Sequence, residues 1–167
     1  RIPGIRTQVA GGDSFTWAGR EVKVYDCPGH TKGHIAYSIP SEYCLFAADT
    51  LFSLGCGRVF EGTMEQMHTS VNQFRTLQPM TSVYCGHEYT EANLHFAFAV
   101  EPDNQALIAR IRRVAQLRAA GAPCRASHRI PPAAQVRPAR RRGQAAVRGR
   151  ARRLRRVAAR PHDRERG

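Results

Sequence analysis

An α/β fold, a sheet with helices packed on one face, is predicted by two apolar spacings that succeed each other along the chain. Glu21–Asp26 (E-V-K-V-Y-D) alternates apolar and polar side chains, the period of a half-buried strand. Leu107, Ile108, Ile111, Val114 and Leu117 recur instead at the spacing of one helix face. Strands come first and helices follow, which suits helices laid on a sheet. A third observation bounds the folded part. Residues 1–122 carry 11 basic and 11 acidic side chains, whereas residues 123–167 carry 15 basic, all Arg, and 2 acidic. The formal charge of +13 therefore lies wholly in the last 45 residues. The chain reads as a partial domain over 1–122 joined near Ala122-Pro123 to an Arg/Ala/Pro-rich tail over 123–167, expected to be disordered.

Each element follows from its punctuation. Gly11-Gly12-Asp13 is a turn before the strand at 21–26, and Pro28-Gly29 is the turn after it. Ile35–Ile39 and Tyr43–Ala48 are two more strands, and Pro40-Ser41-Glu42 between them makes a hairpin. Residues 54–62 hold three glycines and read as a structured loop. Thr63 with Gln66 three positions on is a capping box, opening a helix to about Leu77 that Pro79 ends. Ser82–Cys85 is a short strand. Helices follow at about 90–100 and from Asp103-Asn104, the second closed by Gly121 and Pro123.

Composition narrows the class. No run of about 18 apolar residues exists, so no membrane helix is expected. Five cysteines (Cys27, Cys44, Cys56, Cys85, Cys124) form no C-x-x-C pair, the usage of reduced thiols in a cytoplasmic protein. The first residues are Arg-Ile-Pro-Gly rather than Met, so the expectation is a chain that starts inside a larger protein.

Three residues carry the chemistry. His30, Asp49 and His87 each follow a short strand-type run in glycine-rich surroundings. Two imidazoles and a carboxylate on loops are the donor types that hold a hydrolytic metal such as zinc. Such an ion lowers the pKa of bound water to about 7 and polarises a carbonyl. Asp49 suits a bridge between two ions, because a carboxylate can give one oxygen to each, with His30 and His87 on different ions. Three ligands are few for two ions. A single loop His is more often a hydrogen-bonded structural residue; the weight lies in Gly29-His30-Thr31-Lys32-Gly33-His34 preceding Gly55-Cys56-Gly57-Arg58 and Cys85-Gly86-His87-Glu88-Tyr89-Thr90.

With those motifs, and with Asp49–Thr63, Val83–Ala97 and Val100–Asn104, the chain resembles the C-terminal part of glyoxalase II (hydroxyacylglutathione hydrolase), of the metallo-β-lactamase superfamily. The resemblance covers about residues 2–123. It implies the C-terminal portion of an αββα sandwich. It also implies hydrolysis of S-(2-hydroxyacyl)glutathione, chiefly S-D-lactoylglutathione, to glutathione and D-lactate, a step of methylglyoxal detoxification. The implied cofactor is a pair of divalent ions, zinc first, with iron or manganese as substitutes. Carried over by position, His30 ligates one ion, His87 the other, and Asp49 bridges them beside the attacking hydroxide. Arg58, Phe60 and Tyr89 fall where the family contacts glutathione. His34 matches a second motif histidine and is read as structural.

Two departures from the family are visible. Its Thr-His-x-His-x-Asp-His segment, which supplies most ligands, is absent from these 167 residues, so weak metal binding and an inactive or impaired fragment are expected. Beyond Pro123 the composition is that of a GC-rich gene read out of frame, and a frameshift near that point is expected. The competing reading is a genuine arm, centred on Arg141–Arg156, that holds nucleic acid non-specifically through its phosphates. Within the superfamily the rival activity is that of a persulfide dioxygenase with a single iron. Phe60-Glu61-Gly62-Thr63 and His87-Glu88-Tyr89-Thr90 favour the thioesterase.

Overall fold

The computed structural model describes residues 3–122 and the short strand at 128–129, so Cys124 and Arg141–Arg156 lie outside the described residues. The described chain divides into two compact units, 3–88 with 128–129 and 89–122.

In chain order the strands of the first unit are β1 (Ser14–Trp17), β2 (Arg20–Asp26), β3 (Ile35–Ile39), β4 (Cys44–Ala48), β5 (Leu51–Phe52), β6 (Gly55–Cys56), β7 (Ser82–Cys85) and β8 (His128–Arg129). Six of them form one sheet in the order β1-β2-β3-β4-β7-β8, while β5 and β6 make a separate small hairpin. Every neighbouring pair in the large sheet is antiparallel except β4 with β7. A parallel pair needs a long crossover, which is residues 49–81 with helix α1 (Met64–Gln73) inside them. The antiparallel steps from β2 through β3 to β4, then the parallel step to β7, point β2, β4 and β7 the same way. Their C-terminal ends therefore share one end of the sheet.

The register sorts the side chains. Tyr25 opposes Ala36, Ser38 opposes Leu45, and Leu45 opposes Val83 on one face. That face is the core, where Cys27, Ala36, Leu45, Ala47 and Val83 close around Phe74 from the short 3-10 turn after α1. Phe74 meets Tyr25 edge to face at 5.8 Å, and burying such a ring contributes about 1.5–3 kcal/mol. The helix is tied to the strand end by polar contacts too. Ser70 Oγ donates to the Pro28 carbonyl at 2.7 Å, and Gln73 Nε2 donates to the Asp26 carbonyl at 2.8 Å. On the opposite face Phe46 and Tyr84 stack at 5.1 Å and remain partly exposed.

The expected capping box is present. Thr63 Oγ1 accepts from the Gln66 amide at 3.2 Å, and Gln66 Oε1 accepts from the Thr63 amide at 2.9 Å. The hairpin between β3 and β4 turns through a 3-10 segment at Pro40–Glu42 that closes on Tyr43 in the left-handed region. Residues 54–62, expected to be loop throughout, instead contribute β6. The pairing of β1 with β2 was not expected either; its turn rests on Ala18 and Gly19, both at positive φ. β8 falls in the segment expected to be a tail and pairs with β7.

The second unit is a helix pair, α2 (Thr90–Val100) and α3 (Gln105–Ala119). Asn104 caps α3 by accepting from the Ala106 and Leu107 amides at 3.0 and 3.2 Å. Leu107, Ile111 and Val114 of the expected stripe are buried, while Ile108 and Leu117 are half-buried at its edges. No helix among the described residues is long and apolar enough to cross a membrane.

Candidate metal centre

Three loops leave the shared end of the sheet. The loop after β2 carries His30, the turn after β4 carries Asp49, and the turn after β7 carries His87. Direction alone thus brings together residues far apart in sequence, as in other open sheets whose ligands gather at the carboxyl ends of strands. The carboxylate of Asp49 stands between the two imidazoles. Its Oδ2 is 3.6 Å from His30 Nε2, and its Oδ1 is 3.3 Å from His87 Nε2. Asp49 Oδ1 is buried and accepts no hydrogen bond. Buried polar atoms in native proteins nearly always have a partner, so this oxygen sits where a cation would satisfy it.

The orientation of His30 is fixed from behind. Its Nδ1 bonds the Arg58 carbonyl at 2.9 Å, which leaves Nε2 toward Asp49. A histidine ligand whose other ring nitrogen is tied to a carbonyl has its tautomer and direction set in advance. The strand of chain that supplies this carbonyl is laced to the His30 loop. Phe60 N donates to the His30 carbonyl, Gly62 N to the Gly29 carbonyl, and Lys32 N to Glu61 Oε2. Phe60 meets the His30 ring at 5.2 Å, and the Arg58 guanidinium carbon lies 5.9 Å from the Phe60 ring centre. Phe60 is 65 % exposed, a large apolar ring held beside an imidazole and open to a ligand. Phe52 packs edge-on against His87 at 6.2 Å.

Asp49 sits on an irregular turn. The register of β4 against β7 slips between Phe46 and Ala48, and Ala48 has φ 43°. A left-handed backbone costs a non-glycine residue roughly 1–2 kcal/mol. The turn is held by Gly86 N donating to the Ala48 carbonyl at 2.9 Å and Thr50 N donating to the Ala47 carbonyl at 2.9 Å. His34 Nε2 accepts from the Asp49 amide at 3.2 Å. Burial first, and the nearby His30 second, push His34 below the ordinary imidazole range, which suits a neutral acceptor.

Sequence reasoning named His30, Asp49, His87, Arg58 and Phe60, and all five lie in the first unit around this turn. Tyr89 stands at the residue before α2 in the second unit and is half exposed. Two glycines escaped notice. A Cβ on Gly57 would collide with the Asp49 carbonyl, and one on Gly86 would come within 2.7 Å of Asp49 Oδ1. Their only sequence signal is their place in the two glycine-bearing motifs. Thiol chemistry is not favoured here, since burial raises the pKa of Cys56 and of Cys85.

A family model described as the metallo-beta-lactamase superfamily matches residues 1–87, all of the first unit but its last residue and β8. The chain belongs to the metallo-β-lactamase superfamily. A second model, hydroxyacylglutathione hydrolase C-terminus, matches residues 88–128. That match runs past Pro123, the point where the composition changes.

Among the relatives of this superfamily member is a hydroxyacylglutathione hydrolase of Rhizobium meliloti (strain 1021), 50 % identical over 121 residues, which are 72 % of this chain and 47 % of the relative. Another is that of Synechococcus sp. (strain JA-3-3Ab), 51 % identical over 123 residues, 74 % of this chain and 49 % of the relative. Among solved structures, ETHE1 from Myxococcus xanthus is 32 % identical over 52 % of this chain and 39 % of its own, with a TM-score of 0.47. The chain spans about half the length of the curated relatives it matches. Its mixed α/β architecture is that of the metallo-β-lactamase fold.

Members of the superfamily bind divalent metals, and the donor types around Asp49 fit such an ion. Among the described residues, however, no group of three or more His, Cys, Asp or Glu side chains is arranged to hold one.

Proposed function

We propose that this chain carries the C-terminal share of a glyoxalase II centre, which hydrolyses S-(2-hydroxyacyl)glutathione thioesters such as S-D-lactoylglutathione. The observation that supports it most is the Asp49 carboxylate, with one oxygen toward His30 and the other toward His87. His30 and His87 would each hold one divalent ion, and Asp49 would lie between the two. Such ions, when bound, activate water and stabilise the charge that develops on a thioester carbonyl.

The chain's own residues do the rest. Arg58, on the strap that fixes His30, offers a guanidinium to a carboxylate of the glutathione moiety, a charge-assisted contact. Phe60 gives an apolar wall beside it. Tyr89 offers a phenol for a further hydrogen bond to the same moiety. With one imidazole on each side of Asp49, we expect the isolated chain to bind metal weakly and to hydrolyse thioester slowly.

Two measurements on the full chain test this. Zn2+ affinity is read by competition with a chromophoric chelator, and binding of an S-alkylglutathione is read by calorimetry. Asp49→Asn should lower Zn2+ affinity by at least about tenfold, and Arg58→Ala should weaken S-alkylglutathione by about 1–2 kcal/mol. Equal Zn2+ affinity in wild type and Asp49→Asn, or no saturable S-alkylglutathione binding by the wild type, overturns the reading.

A further inference from the structure

The motif at residues 29–34 contains two histidines, and the metal reading uses only the first. His34 is half-buried at the foot of β3, where its own carbonyl accepts from Cys27 N at 2.8 Å and its ring meets that of His30 at 5.7 Å. Its Nε2 accepts from the Asp49 amide at 3.2 Å. Just before that amide lies Ala48, the left-handed residue at which β4 slips register against β7. The imidazole therefore braces the bulge where the chain leaves it.

We propose that His34 is a positioning residue for Asp49: it clamps the Asp49 amide just past Ala48 and so sets where the carboxylate stands. The clamp fits the layout of the turn. The carbonyls of Ala47 and Ala48 are engaged by Thr50 N and Gly86 N, whereas the Asp49 amide is held by a side chain from another strand. Gly57 against the Asp49 carbonyl and Gly86 against its Oδ1 bound the same residue sterically. The loop that presents His30 to one carboxylate oxygen thus also presents the group that holds the same residue's backbone. A four-residue spacing ties both contacts to one loop. The inference rests on reading Asp49 as the central carboxylate of the site.

The uniformly nitrogen-15-labelled full chain provides the test. In the wild type the ring resonances should show Nδ1 protonated and Nε2 bare; the reverse tautomer overturns the proposal. His34→Phe keeps ring volume and loses the acceptor for the Asp49 amide. His34→Gln can place its amide oxygen near the Nε2 position and restore the acceptor. In His34→Phe the Asp49 amide should exchange at least about tenfold faster while the amides of Val24 and Ala36 keep their protection, and Zn2+ affinity should fall about tenfold or more. His34→Gln should return both quantities to within about threefold of wild type. An unchanged Asp49 exchange rate in His34→Phe, or a His34→Gln no better than His34→Phe, overturns the clamp. Absence of Zn2+ uptake by the wild type would sink the metal reading alone, because tautomer and amide exchange are measured without the ion.

Discussion

Gly57 and Gly86 press on the same aspartate from two directions, and the physical difference between the contacts separates binding from folding. A methyl at position 57 meets backbone, the Asp49 carbonyl, which cannot yield without moving the turn. Gly57→Ala should cost about 1–3 kcal/mol in urea denaturation as well as metal affinity. A methyl at position 86 meets the carboxylate itself, at 2.7 Å from Oδ1, and a side chain can rotate away. Gly86→Ala should therefore leave the urea midpoint nearly unchanged while lowering Zn2+ affinity about tenfold in chelator competition. Cys27 makes a separate statement at this scale. It is fully buried beneath the sheet, and burial pushes its thiol up to about 11 from an ordinary 9.0. Between those two pH values the unfolded chain has lost this proton and the native chain keeps it, so stability falls as pH rises. The slope should be about 1.4 kcal/mol per pH unit, and Cys27→Ala should remove it in melts between pH 9 and 11.

Among the elements, α1 carries the clearest local code and a modest energetic stake. Thr63→Ala removes the Oγ1 acceptor of the Gln66 amide, one half of the capping box, and should cost about 1 kcal/mol in denaturant titration. Because Ser70 and Gln73 of the same helix tie to the Pro28 and Asp26 carbonyls, fraying at Thr63 should also speed amide exchange in the loop that holds His30. The code was readable for every element with a long enough period. β2, β3, β4, β7 and the three helices follow from spacing, caps and prolines to within a few residues. β1 was not readable, since Ser14–Trp17 offers only two alternations and owes its existence to pairing with β2. β5 and β6, two residues each, lie in a glycine-bearing stretch whose pairing no local pattern records. The same contrast holds at the site. His30, Asp49 and His87 stood out through residue type and neighbours, whereas the hold of His34 on a backbone amide fifteen positions away left no trace in composition.

For the whole molecule the governing feature is the split of charge. A neutral 1–122 joined to a segment with 15 Arg and 2 acidic residues should attract polyanions through one end only. Retention of single-stranded RNA on a filter should fall steeply between 50 and 200 mM salt for the full chain, and deletion of 124–167 should abolish that salt dependence. Retention unchanged by the deletion would place the attraction elsewhere.

The order of strands has a consequence in time as well as in space. β2, β3 and β4 are joined by short connections and can pair as soon as they meet. β7 can join β4 only after residues 49–81 have closed the crossover, and a parallel pairing across such a loop is slow. His30 reaches the shared sheet end early, but Ala48 gains its hydrogen bond from Gly86 N and His87 its place only when β7 docks. The metal-binding end is thus the last part of the sheet to be completed, and capture of a divalent ion during refolding would time the closure of the crossover.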